Sequence, residues 1–133
     1  MLVYAFDKSY AGKRATCLKL IDDIRERGEK GILSMQVLLE LYNVITEYIA
    51  DPLPPREAAS IINDFIEAEG WVKLNYDPTV ARKAVGVASS TGIKIWDAVI
   101  GETMKENGVY TIVTENEKDF NKIPGIRVIN PFK

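Results

Sequence analysis

Apolar positions in the first half of the chain recur at helical spacing, interrupted by short runs that read as strands. From residue 11 to about 27, Cys17, Leu20, Ile21 and Ile24 fall at i, i+3, i+4 and i+7, one helical stripe that Gly28 ends. The run Gly31-Ile32-Leu33-Ser34 reads as a short buried strand, after which Ser34 caps a helix from 35 to about 50. Its apolar arc holds Val37, Leu38, Leu41, Tyr42, Val44 and Ile45. The proline-rich stretch 52–55 is a loop between helices, and Pro55 suits the first position of a third helix that runs to about 69 before Gly70. Residues 71–74 read as a strand.

Asp77 or Thr79 starts a helix to about 90, Gly92 breaks it, and 96–107 is helical again before Gly108. Residues 109–113, rich in β-branched side chains, read as the clearest buried strand, followed by a short acidic turn and a last strand at 126–129. The run 2–6 is too short for periodicity to separate strand from helix. Alternation of strands and helices predicts an α/β fold: a three-layer α/β/α sandwich with a mainly parallel central sheet. A length of 133 residues suits a single domain.

Composition narrows the chemistry. The chain has one cysteine and no histidine, which excludes a Cys/His zinc site, a serine–histidine triad and a histidine general base. Catalysis would fall to carboxylates, amides, hydroxyls or lysine, with hard cations as the partners of oxygen ligands. A net charge of -2 gives no general attraction to polyphosphate, so nucleic acid would need a local patch. Candidate patches are Lys8, Lys13, Arg14 and Lys19, then Arg82 and Lys83, and Lys94 beside Asp97. No run of about 20 apolar residues and no secretory leader pattern is visible, so the chain reads as cytosolic, without a membrane partner.

In a parallel sheet, ligands bind beyond the carboxyl ends of the strands. Glu40 follows the strand ending at Ser34, Glu115, Asn116, Glu117 and Asp119 follow the one ending at Val113, and Asp97 opens the helix leading into it. Carboxylates gathered there repel one another unless cations neutralise them, which points to magnesium or manganese. Each residue also has a plainer role: Glu40 as a dipole-favoured acid, Asp97 as a helix cap, 115–119 as a solvated turn. Cys17 reads as a packed thiol, and Trp71 and Trp96 as packing residues.

Four motifs, in order, resemble PIN-domain proteins of the VapC type: Val3-Tyr4-Ala5-Phe6-Asp7, Ser34-Met35-Gln36-Val37-Leu38-Leu39-Glu40-Leu41-Tyr42-Asn43-Val44, Ile95-Trp96-Asp97-Ala98-Val99-Ile100 and Thr114-Glu115-Asn116-Glu117-Lys118-Asp119-Phe120. The closing Val128-Ile129-Asn130-Pro131-Phe132 fits as well. The resemblance implies a ribonuclease dependent on Mg2+ or Mn2+, commonly the toxin of a toxin–antitoxin pair. It implies Glu40, Asp97 and Asp119 as metal ligands, Asn116 as a further catalytic contributor and Thr114 as a positioning hydroxyl. Its partners would be RNA, a cognate antitoxin and a second copy of the chain.

The family's opening strand, which ends in Asp-Thr-Asn or Asp-Ser-Asn, has no counterpart in these residues, and by this alignment residues 2–6 belong to a helix or loop that follows it. Two readings stay open: the natural start lies upstream, or residues 2–6 take the strand position and bring Asp7 toward the acids. A different functional class also stays open, a catalytically impaired PIN-like module that only binds or dimerises. A receiver-like α/β regulator shares the alternation, but no glycine-rich phosphate loop follows a strand.

Overall fold

The computed structural model describes residues 1–133 as two compact units, Met1–Lys73 and Leu74–Lys133. In the first, a 3-10 helix at Leu2–Ala5 precedes α1 (Ala11–Glu26), β1 (Gly31–Ser34), α2 (Met35–Glu47), α3 (Pro55–Glu67) and β2 (Trp71–Leu74), whose last residue already belongs to the second unit. The second continues with α4 (Pro78–Thr91), α5 (Ile95–Glu106), β3 (Thr111–Val113), α6 (Glu117–Phe120) and β4 (Arg127–Ile129). The α/β class expected from the alternation is what forms. The strands hydrogen-bond as two pairs, β1 with β2 and β3 with β4, and the second pair is parallel, in register Thr111 to Arg127 through Val113 to Ile129.

Element boundaries follow their capping chemistry. Ser34 Oγ accepts the Val37 amide at 3.1 Å and Asp77 Oδ1 accepts that of Val80 at 2.9 Å, so both helices start where a side chain satisfies an orphan donor. Gly92 closes α4 at φ +76°, a left-handed position that glycine adopts without steric cost. Two helical segments differ from the sequence reading. The second helix ends at Glu47 rather than near 50, because Ile49 N–H reaches back to Val44 and Leu53 N–H to Ile45, turning the chain early ahead of Pro52 and Pro54. The acidic turn after β3 winds into a helical turn, α6.

The core of the first unit gathers Leu2, Cys17, Leu38, Leu41, Ile45 and Phe65, with α2 packed on α3, on β1 and on the 3-10 helix. Gly31 is required where β1 passes Trp71: a Cβ there would collide with the Trp71 ring and sit 2.9 Å from Ile24 Cδ1. Trp71 in turn meets Phe65 edge-to-face at 5.4 Å, as its packing role requires. In the second unit α4 packs along α5, whose residues 98–104 are all buried.

Strand β3 is shorter and less covered than its β-branched sequence suggests. Thr111 is exposed, and Val113 and its partner Ile129 remain 39% and 40% exposed. Pairing with β4 alone leaves one face of this ribbon open to solvent. Trp96, expected in packing, is also half exposed.

Cys17 is fully buried, with its thiol facing the carbonyl oxygens of Met1 and Leu2 at 3.6 and 3.9 Å. Burial pushes its pKa up, against smaller opposing effects of the positive N-terminus and a hydrogen bond with the Ala5 backbone. A folded-state pKa raised above the unfolded one contributes stability below the ordinary thiol value of about 8.5, and that contribution is lost as pH rises through the folded value. Cys17 is therefore expected to resist thiol reagents at neutral pH until the chain unfolds. Stability relative to Cys17→Ala, followed by denaturant titration across pH, should decline only on the alkaline side; fast labelling of the folded protein would show that the thiol is open.

Candidate functional site

Asp97 stands in the first turn of α5, where the helix dipole favours an acid. It does not cap the helix: Lys94 occupies the cap position, with no side-chain cap bond, and is exposed. Beyond β3, Thr114 ends the strand by donating its N–H to Ile129 O at 2.9 Å, while its Oγ1 accepts the Asn116 N–H at 3.2 Å. That turn fixes the Asn116 backbone at the start of α6, and Asp119 follows inside the same helical turn.

The carboxamide of Asn116 joins the two acids. Its Nδ2 donates to Asp97 Oδ2 at 3.4 Å and to Asp119 Oδ2 at 3.3 Å, so one NH2 group faces two carboxylates, all three side chains being half-buried. Like charges aimed at one point repel, and the two amide hydrogens supply the partial positive charge that offsets them.

A close approach holds this arrangement. Gly101 lies one turn beyond Asp97 on α5, and a Cβ there would come within 2.7 Å of Ile123 Cδ1. Ile123 and Phe120 are buried at 1% and 4% exposure, which seats the segment carrying Asn116 and Asp119 on the α5 face that presents Asp97. Lys105 secures the far side by donating to Pro124 O at 2.9 Å. The same ammonium lies 2.6 Å from Glu102 Oε2, neutralising a buried carboxylate oxygen that has no hydrogen bond of good geometry.

The other acids have separate settings. Glu40 is exposed on α2 in the first unit, and its Oε1 accepts from Gln36 Nε2 at 2.8 Å. Asp7 is buried in the first unit, its Oδ1 accepting the Ser9 N–H at 3.0 Å. Glu117 turns to the C-terminal segment, where Lys133 at 2.7 Å and Asn130 at 3.0 Å hold its carboxyl below the usual glutamate range, outweighing a small desolvation effect.

A family model for the PIN domain matches residues 1–126. The chain belongs to the PIN domain family. Among solved structures, a toxin–antitoxin complex from Klebsiella pneumoniae contains a chain of similar fold, with TM-score 0.55 and 20% identity over 77% of this chain and 75% of that one. No curated protein matches significantly.

For a PIN domain, the donor set is chemically suited to a hard divalent ion. Asp97 and Asp119 offer hard carboxylate oxygens, and magnesium commonly takes one or two carboxylates while keeping several waters. Neither unit alone brings three acidic side chains to one point. The sequence motifs name the residues that meet here, but not the Gly101–Ile123 contact that seats them or the Glu117–Lys133 pairing. A glycine inside an otherwise apolar helix was the one available signal for the first.

Gly101→Ala is expected to push Ile123 off α5, destabilise the protein by about 1–3 kcal/mol and separate Asn116 from Asp97. Denaturant midpoints and the Asn116 side-chain amide resonances would register both effects. Unchanged stability with unshifted resonances would mean that the contact does not position the site.

Proposed function

We propose that this PIN domain is an endoribonuclease, dependent on magnesium or manganese, that serves as the toxin of a toxin–antitoxin pair. The observation that carries the reading is the pair of carboxylates, Asp97 and Asp119, gathered on one carboxamide at the position of the family's acidic motifs. Family membership and a structural neighbour drawn from a toxin–antitoxin complex support it. Asp97, Asp119 and Glu40 would be the ligands of the cation, with Asn116 as a further catalytic contributor. A divalent ion bound to such carboxylates supplies charge stabilisation at a phosphoryl oxygen and an acidified water, which suits a chain without histidine.

The chain's own residues then divide the remaining work. Thr114 sets the turn that presents Asn116. Asn116 keeps the two carboxylates aimed at a common point, so the scissile phosphate would meet a preorganised charge distribution. Lys94, exposed and three residues before Asp97, would neutralise a neighbouring phosphate. The working setting we infer is the cytosol, as a homodimer with an antitoxin segment covering the acidic site; no helix is long and apolar enough to cross a membrane.

A non-catalytic binding module is the competing reading, favoured by the meeting of only two carboxylates within one unit. Asp97→Asn removes a charge while keeping shape, and separates the two. Cleavage of a mixed RNA pool with manganese should fall more than about a hundredfold in this variant, with the fold intact by circular dichroism. Retained cleavage would take Asp97 out of the site, and no cleavage by the parent with either metal would favour the binding module. Glu40→Gln should weaken manganese binding about tenfold or more; affinity equal to the parent's would remove Glu40 from the ligand set.

A further inference from the structure

The second half of α5 holds a charge pair that stability alone does not account for. Glu102 is buried, and Lys105 Nζ lies 2.6 Å from its Oε2. A buried ion pair can often be replaced by apolar side chains of similar volume without loss of stability, because desolvation offsets the attraction. At the surface beside it, Lys83 engages Glu106 at 3.2 Å, so the other acid of this helix end has its own cation.

The pair aims an ammonium at the loop that follows α6. The same Lys105 Nζ donates to Pro124 O at 2.9 Å, and Gly125 turns at φ +84° over the lysine stem, where a Cβ would lie 3.6 Å from Lys105 Cδ. Lysine carries its donors on a long flexible stem, and a carboxylate fixed within the helix removes the freedom that would let the ammonium leave the loop. Pro124 adjoins Ile123, the residue seated against Gly101. From Ile123 the chain runs back to Asp119 as one continuous turn, with Lys122 N–H donating to Asp119 O at 3.1 Å and Ile123 N–H to Phe120 O at 3.2 Å. Through that turn the loop sets where Asp119 stands against Asn116, whose bonds at 3.3 and 3.4 Å are long enough to respond to small displacements. We propose that Glu102 is a positioning residue of the Asp97–Asn116–Asp119 site, acting through the Lys105 ammonium on the Pro124 carbonyl; this deepens the metal-dependent reading and rests on it.

The double variant Glu102→Leu/Lys105→Met separates positioning from stability, since it removes both charges together and fills similar space. Its denaturant midpoint should equal or exceed the parent's. Its Asn116 side-chain amide resonances, recorded without metal, should nevertheless shift, and its manganese affinity, read by paramagnetic resonance of the free ion, should fall about tenfold. Glu102→Gln, which keeps the shape and loses only the charge, should move the same resonances in the same direction while the chain stays folded. Unshifted Asn116 resonances in either folded variant, with manganese affinity equal to the parent's, would overturn the positioning role and leave the nuclease reading intact. Shifted resonances in a chain whose parent binds no manganese would sustain the positioning role and sink the metal-dependent reading.

Discussion

Asp97 and Asp119 carry the same charge and reach the same carboxamide, and α5, the turn after β3 and α6 meet at that contact. Without a donor between them, two carboxylates so placed would favour separation. Asn116 supplies the donor, Thr114 sets the turn that carries it, and the parallel β3–β4 pair fixes where that turn begins. On the other side, the missing side chain at Gly101 admits Ile123 against α5, so packing and polar contact act on the same short segment. The geometry is thus held by a hydrophobic contact as well as by two long hydrogen bonds, each of which is worth on the order of 1 kcal/mol alone.

That division of labour has a consequence for chemistry. A carboxamide presents hydrogens on one side and an oxygen on the other. The same Asn116 can therefore offset the carboxylates by donation when no cation neutralises them, whereas a third carboxylate in its place would add repulsion that only a cation relieves. A chain with no histidine has few other ways to handle phosphate charge, which is why the acids, the amide and the lysines carry the functional reading.

Much of this was legible in the sequence, for identifiable reasons. Ser34 and Asp77 announced helix starts because capping is local, and Gly92 announced a helix end because left-handed backbone favours glycine. Asp97, Asn116 and Asp119 were legible through motif order, and the structure brings the three together. Contacts set by tertiary packing were not legible. The early end of α2 depends on backbone bonds across a loop, and the exposure of Val113 and Trp96 depends on which faces are covered. Which strand pairs with which, β1 with β2 and β3 with β4, is likewise a long-range choice that alternation does not encode.

Manganese titrated into the isotope-labelled chain, followed by paramagnetic broadening of amide signals, tests the central claim most directly. The account predicts saturable broadening centred on residues 95–98 and 114–120, reversed by EDTA and reduced in Asn116→Ala. Broadening spread evenly over exposed acids such as Glu29 and Asp51, with no focus at Asp97 and Asp119, would contradict it.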